Sequence, residues 1–241
     1  MTEWFEQWFG EEYLRLYPHR DDDDARESVA LIAQVLPLVG RQVLDLACGP
    51  GRHAAHLARA GARIVGFDLS AALLSRARQR LPAGTHLVRG DMRALPFADR
   101  TFDIVLNLFT SFGYFSDDEQ HVTVLREARR TLRPAGALVL DFLNAERVRR
   151  ELITHEQQVV GPQHVQIIRH ISDDGRFVIK EMHLAGDGRS FVERVRLLTA
   201  ADLEIMLEQA GLTVRDRFGA YDARPFGPDA PRAIFVAVRP A

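Results

Sequence analysis

The sequence predicts an α/β protein in which helices cover both faces of a parallel sheet, with an antiparallel β subdomain inserted near the end of the chain. Three observations carry this. Strand-like and helix-like segments alternate five times between Arg41 and Phe142. The strands of that stretch are apolar on both faces, which suits a sheet covered on both sides. From Glu156 the pattern changes to short alternating segments broken by Gly-Pro, Asp-Gly and Gly-Asp-Gly turns, the mark of antiparallel hairpins.

The elements follow in order. Thr2 is placed to cap a first helix, with Glu3 in its first turn. Trp4, Phe5, Trp8, Phe9, Tyr13, Leu16 and Tyr17 recur at spacings of three and four and form one aromatic face. Pro18 ends that helix. The face packs on the core, and compatibly with that it closes over a ligand with Tyr13 or Tyr17 reaching in. The acidic run Asp21 to Asp24 lacks spaced ligands and a turn glycine, so it reads as a solvated loop and not a metal site. Its charges suit the start of a helix from Ala25 to Leu36.

Val43 to Ala47 is a buried strand, Gly49-Pro50-Gly51 breaks it, and Arg52 to Ala60 is a helix. Ala62 to Phe67 is a second strand ending at Asp68. Ser70 caps a helix through Leu81, stopped by Pro82 and Gly84. Thr85 to Arg89 is a third strand, Phe102 to Leu108 a fourth and Gly136 to Phe142 a fifth. Asp117 to Leu132 is the helix between the last two, ended by Pro134. The insertion supplies QVV, HVQIIRHI, RFVIKEMHL and FVERVRLL. Thr199 caps a helix from Ala200 to Gln209, and Leu212 to Phe218 and Ala233 to Val238 are closing strands. The expected organisation is a helical cap over 1–40, an α/β core over 41–145 and 199–241, and the β insertion over 146–198.

Composition narrows the function classes. The 241 residues are 46% hydrophobic and 27% charged with a formal charge of -2, an ordinary globular balance. It offers no electrostatic reason to expect a nucleic-acid or membrane-surface partner. The single Cys48 excludes an internal disulfide and a multi-cysteine metal site, and fits a reducing compartment. The N-terminus is acidic and lacks the basic region of a signal peptide. No apolar run approaches the ~20 residues of a membrane span. The expectation is a soluble cytoplasmic protein.

The chemistry centres on Arg41 to His53, RQVLDLACGPGRH. A strand that runs through a glycine-rich turn into a helix is a nucleotide-binding device. The spacing Gly49-x-Gly51-x-x-Ala54 by itself fits a dinucleotide. Asp45 argues against one, because a carboxylate beside the loop repels a pyrophosphate and attracts an ammonium group. In an open parallel sheet the strand ends share one crevice, so Asp45, Asp68, Asp91 and Asn107 should line a single rim. Such a rim suits a neutral or cationic adenosine that carries an amino acid.

VLDLACGPG, GFDLS, GDMRALPF, FDIVLNLF and LRPAGALVLDFLN together resemble the ordered motifs of class I S-adenosylmethionine-dependent methyltransferases, over roughly Arg41 to Asn144. The aromatic opening and the β insertion resemble those members that methylate small molecules, amino-sugar and glycine N-methyltransferases among them. The resemblance implies a Rossmann-like, doubly wound, seven-stranded sheet whose last strand is antiparallel. It implies S-adenosylmethionine as cofactor and a small molecule as methyl acceptor. Asp45, with the backbone of Ala47 and Gly49, would face the methionine part, and Gly51 would allow close approach. Asp68 would accept from both ribose hydroxyls, and Leu69 would pack on adenine. Asp91 would accept from the adenine amino group beside the Met92 backbone, while Asn107 and Leu108 would present backbone at the sulfonium. Tyr13 and Tyr17 would close the cofactor site, and Phe112 and Tyr114 are candidates for the acceptor pocket. Ala47 and Ala135 stand where the family more often has glycine.

No catalytic base is assigned. Histidines 155, 164, 170 and 183 lie in the insertion and read as surface or packing residues. Cys48 reads as a small filler. Two other functions stay open on these residues: a nicotinamide-dependent oxidoreductase, which lacks a Tyr-x-x-x-Lys signature here, and a non-catalytic cofactor-binding protein. The β insertion also offers a surface for a homodimer.

Overall fold

The computed structural model describes residues 3–17, 22–186 and 188–241. The cap predicted for Thr2, the stop at Pro18, Asp21 and the turn residue Asp187 lie outside them. Two sheets organise the chain. The larger has seven strands in the order β10-β11-β5-β4-β1-β2-β3, made of β1 (Gln42–Leu46), β2 (Arg63–Asp68), β3 (His86–Arg89), β4 (Phe102–Asn107), β5 (Leu132–Leu143), β10 (Thr213–Phe218) and β11 (Arg232–Val238). Only β11 runs antiparallel to its neighbours, β5 and β10. The order reverses between β1 and β4, so the chain leaves these adjacent strands toward opposite sides and opens a crevice at their C-terminal ends.

Helices α3 (Asp22–Val35), α4 (Arg52–Arg59), α5 (Ala71–Arg80), α6 (Asp118–Thr131) and α8 (Ala200–Gln209) cover the faces. Strand residues alternate between two apolar clusters, as a doubly covered sheet requires. Leu44, Leu46, Val105, Leu138 and Leu140 join Phe102 and Phe142 in one cluster. Val43, Ile104, Leu106, Val139 and Val236 join Leu57 and Ile32 in the other.

Helix ends follow local chemistry. Ser70 Oγ accepts the Leu73 N–H, and Asp117 accepts the Glu119 N–H. Thr199 and Asp202 form a reciprocal capping box at α8. The second sheet is β6 (His155–Val160), β7 (Gln163–Ile171), β8 (Phe177–Leu184) and β9 (Ser190–Arg196), all antiparallel in sequence order. One of its faces carries Val165, Ile167, Met182 and Leu184, which pack against Trp8, Tyr13 and Leu16 of the opening segment.

Four expectations change. The opening aromatic helix is two short helices, α1 (Trp4–Trp8) and α2 (Glu11–Leu16), broken at Phe9-Gly10 because glycine is a poor helix former. Its aromatic face is therefore split: Phe5 joins the main core while Trp8, Tyr13 and Leu16 serve the small sheet. The acids Asp22 to Asp24 are the first turn of α3 and not a preceding loop, where they face the helix's positive end. A helix unforeseen in the sequence, α7 (Ala145–Glu151), begins at Asn144, whose side chain accepts the Glu146 N–H.

Finally, Pro134 does not follow α6 as a separate stop. The helix ends at Thr131, and β5 runs from Leu132 through Pro134, tolerated because the register with β4 shifts there. Ala135, at the same irregularity, has φ 60°, the left-handed conformation that favours the glycine expected of the family. Gly136 has no such freedom to spare. A Cβ there would lie 2.8 Å from the Arg133 carbonyl oxygen and 3.0 Å from that of Asp103. Gly136→Ala is expected to destabilise the protein by about 1–3 kcal/mol, read as a lower Tm, because backbone cannot swing aside as a side chain can.

Candidate active site

A cavity of about 540 Å³ opens at the C-terminal ends of β1, β2, β3 and β4 and is roofed by α1 and α2. Asp45, Ala47, Cys48, Gly49 and Pro50 come from the β1 end, Asp68 to Ala71 from β2, and Arg89 to Met92 from β3. Leu108, Phe109 and Ser111 follow β4, with Tyr114 and Phe115 beyond them, and Phe5, Glu6, Phe9, Gly10 and Tyr13 close the roof. Three successive parallel strands thus each end with an acid in the same wall.

The glycine turn is wound tightly. Ala47, Gly49 and Gly51 have φ of 61°, 54° and 77°. A Cβ on Gly49 would meet nothing within 4 Å, so this residue leaves the cavity open to a ligand. Gly51 does something else. It is the N-cap of α4 and faces away from the cavity, where a Cβ would lie 3.2 Å from Ala77 and Leu81 of the α5 segment. Its close approach is helix against helix, not backbone against ligand.

Asp45 is 1% exposed, and one carboxylate oxygen, Oδ2, has no partner. Burial first, then the neighbouring Asp68, push its carboxyl up to about 7, against the opposing pull of the Ala54 N–H and Arg52. Asp68 is held from both sides: Oδ1 accepts the Ser70 N–H and Oδ2 accepts the Gly49 N–H, each at 2.8 Å. Burial raises its carboxyl while these backbone donors lower it, with a net rise. The Leu69 N–H adds a third backbone donor, and a carboxylate with about four lone-pair sites still keeps acceptor capacity to offer.

Asp91 is engaged differently. Arg93 donates from Nε to both carboxylate oxygens, at 3.1 and 2.9 Å, and the Arg93 N–H donates to Oδ1 at 2.8 Å. Burial raises the Asp91 carboxyl, but Arg93 outweighs it and the net shift is downward. Met92 and Leu69 line the cavity beside these acids.

Several sequence candidates fall outside the wall. Asn107 is buried and turned inward, its Nδ2 donating to the Leu46 carbonyl at 3.2 Å. Phe112 is core, its ring packed edge-on to Phe142 and against His121. Tyr17 belongs to a clasp between cap and insertion. Its hydroxyl donates to Glu193 at 3.1 Å and accepts from Lys180, and Trp8 Nε1 donates to the same Glu193 oxygen at 2.8 Å. The strand register puts His155, His164, His170 and His183 on the outer face of the small sheet, opposite Ile167 and Met182.

Residues not singled out for the site complete it. Phe5 and Phe9 were already visible as members of the aromatic series, whereas Glu6 between them carried no signal. Arg52 and His53 follow the glycine turn and line the cavity. His53 Nε2 is buried without a partner, and burial, reinforced by Arg52, His56 and Arg232, pulls its imidazole down to about 3. A neutral ring of that kind is a weak base at physiological pH. Burial, with Asp45 and Asp68 nearby, pushes the Cys48 thiol well up, so it is no nucleophile. Among the described residues no group of three or more His, Cys, Asp or Glu side chains is placed to hold a metal, and no helix is long and apolar enough to cross a membrane.

Comparison with known proteins agrees with this geometry. A family profile described as a methyltransferase domain matches residues 43–136. The chain is 31% identical to the cypemycin N-terminal methyltransferase of a Streptomyces species, over 82% of this chain and 83% of that protein. It is 27% identical to the dTDP-3-amino-3,4,6-trideoxy-alpha-D-glucopyranose N,N-dimethyltransferase of Streptomyces venezuelae, over 94% and 95%. The solved structure of the CcbJ methyltransferase from Streptomyces caelestis shares the fold with a TM-score of 0.83 at 22% identity, over 98% of this chain and 99% of that one. The acids at the strand ends, the wound glycine turn and these matches lead to one conclusion: the chain belongs to the class I S-adenosylmethionine-dependent methyltransferases.

Proposed function

We propose that the cavity holds S-adenosylmethionine with its adenosine along the β2 and β3 ends and its methionine at the β1 end, and that the methyl group passes to an amine of a small molecule. The observation that carries the reading is the buried Asp45 oxygen that has no partner in a cavity built for a cation. The residues present fit the cofactor. Asp45 suits an ammonium group, the remaining acceptor capacity of Asp68 suits the ribose hydroxyls, and Leu69 and Met92 offer apolar contact to a base. Asp91 already accepts from Arg93 on both oxygens, through its N–H, Nε and Nη2, so an adenine amino group would have to share those oxygens.

A sulfonium methyl is already activated, so no covalent enzyme intermediate is needed. The chain's task is to align the nucleophile with the methyl and keep water out. Phe5, Phe9, Tyr13 and Tyr114 form an aromatic roof suited to excluding water, and their faces favour cationic groups. His53 is neutral and Cys48 protonated, and Asp45 is assigned to the cofactor's ammonium group, so none of these three is left to serve the acceptor as a base. An amine that arrives unprotonated needs none, whereas a hydroxyl does. Two relatives carry amine methylation in their names, which supports the same choice.

The test is methyl transfer from S-adenosylmethionine to matched pairs: a dTDP-amino sugar and a peptide with a free N-terminus, each against its hydroxyl counterpart, read by mass spectrometry. Methylation of amines only is expected. Transfer confined to hydroxyls overturns the reading. A cytoplasmic location is part of the proposal and is supported by the one buried, unpaired cysteine. So is a homodimer through the outer face of the small sheet, where Val159 and Val192 are exposed; light scattering decides it.

A further inference from the structure

The turn after β4 is held in an unusual shape by side chains that do not reach the cavity. Phe109 and Thr110 are consecutive non-glycine residues with φ of 57° and 61°. Such backbone persists only where its surroundings over-determine it. Here Asp141 of β5 does so. Its Oδ2 accepts the Phe109 N–H at 2.9 Å, and its backbone carbonyl accepts the Thr110 N–H at 3.0 Å. Its Oδ1 accepts Arg232 Nε at 2.8 Å, and Oδ2 also accepts the Tyr221 hydroxyl at 2.8 Å. Arg232 of β11 returns to the turn, donating from Nη2 to Thr110 Oγ1 at 3.0 Å.

The product of this network is one ring in one place. Phe109 lines the cavity, whereas Asp141, Arg232 and Tyr221 do not. The Arg232 guanidinium lies 5.6 Å from the Phe109 ring centroid and that of Arg52 lies 5.0 Å from it, two cations set against one aromatic ring. The Asp141 carboxylate thus divides its acceptors between the ion pair and the backbone of the turn. Burial lowers the proton affinity of Arg232, but Asp141 and Tyr221 more than offset this, so its guanidinium stays charged.

We propose that Asp141 and Arg232 are positioning residues for methyl transfer, which hold the Phe109 ring as a fixed wall on the acceptor side of the cavity. This rests on the reading above, in which the cofactor's adenosine lies toward β2 and β3. That arrangement leaves the β4 end, on the other side of β1, to the acceptor.

The test places 4-fluorophenylalanine at position 109 and records its fluorine resonance in the otherwise unchanged protein and with Tyr221→Phe, Arg232→Met or Asp141→Asn. One narrow resonance is expected in the unchanged protein. It should shift or broaden least with Tyr221→Phe, which keeps the ion pair, and most with Asp141→Asn. S-adenosylhomocysteine affinity, by calorimetry, should stay within about twofold, while KM for an amine methylated in the matched-pair assay rises about tenfold against a change in kcat of less than about threefold. A resonance unmoved by both Tyr221→Phe and Arg232→Met overturns the proposal. So does an S-adenosylhomocysteine affinity that falls in step with the rise in KM. Should no amine be methylated, the assignment of the acceptor fails by itself, and the fluorine spectra still decide whether the network holds the ring.

Discussion

Asp68→Ala is expected to weaken S-adenosylmethionine binding by about 3 kcal/mol or more, on the order of a hundredfold. In the proposed site Asp68 accepts from two ribose hydroxyls, and a hydrogen bond to a charged group contributes about 1.5–3 kcal/mol. A second loss adds to this. The same carboxylate accepts the Gly49 and Ser70 N–H groups, so it ties the glycine turn of β1 to the end of β2. Truncation leaves Gly49 N–H, at the cavity wall, without its acceptor. Asp68→Asn separates the two effects. Its amide oxygen keeps one backbone donor satisfied, but its NH₂ meets a donor where an acceptor is needed. Calorimetry with S-adenosylhomocysteine should show both variants impaired. Affinity unchanged in either one would remove Asp68 from the ribose site.

Asp45 should make cofactor binding depend on pH in a defined direction. In the free protein its carboxyl is pushed up to about 7, chiefly by burial and then by Asp68. Below that pH it is largely protonated, and pairing with an ammonium group requires it to ionise. Binding should therefore release up to one proton near pH 6. Affinity should rise by up to about tenfold per pH unit until pH 7 and then level off. Calorimetry in buffers of different ionisation enthalpy measures the proton directly, and a flat affinity with no proton released would contradict the pairing.

The stability of the free protein runs the other way. Between the unfolded value near 4 and the folded value near 7, the folded state keeps a proton that the unfolded chain gives up. Rising pH through that window removes stability, on the order of 4 kcal/mol, because one pKa unit corresponds to about 1.4 kcal/mol. Asp45→Asn should thus bind cofactor less well and yet unfold at a higher temperature than the parent at pH 8. Few substitutions carry that pair of opposite signs, which makes the result hard to mistake for general damage.

Much of the wall could be read from local pattern, because its residues sit where strands end. Asp45, Asp68 and Asp91 were identifiable because a parallel sheet brings the C-terminal ends of its strands to one crevice whatever the loops do. Gly49 and Ala47 followed from the same turn. Phe112 and Tyr114 illustrate the limit. Both lie in the segment after β4, only two residues apart, yet one is core and the other cavity wall. The two left-handed residues Phe109 and Thr110 reverse the chain there and decide which rings face inward. The groups that hold that reversal, Asp141 and Arg232, are 91 residues apart in sequence.

Tyr13 and Tyr17 differ in role for a similar reason. On one continuous helix, spaced by four, they would share a face. In the structure the two rings stay in contact, 5.2 Å between centroids, but only Tyr13 lines the cavity, while the Tyr17 hydroxyl bonds Glu193 and Lys180. The β insertion was legible as hairpins, but not that it would share a core with the cap.

The sequence by itself determined the parallel core, the acids at its strand ends and the family, since each depends on residues close in the chain or on a topology with few alternatives. The tertiary structure alone decided which aromatic rings enter the cavity and that Gly51 serves helix packing. Those outcomes depend on groups brought together from distant elements, and on burial, which no local pattern records.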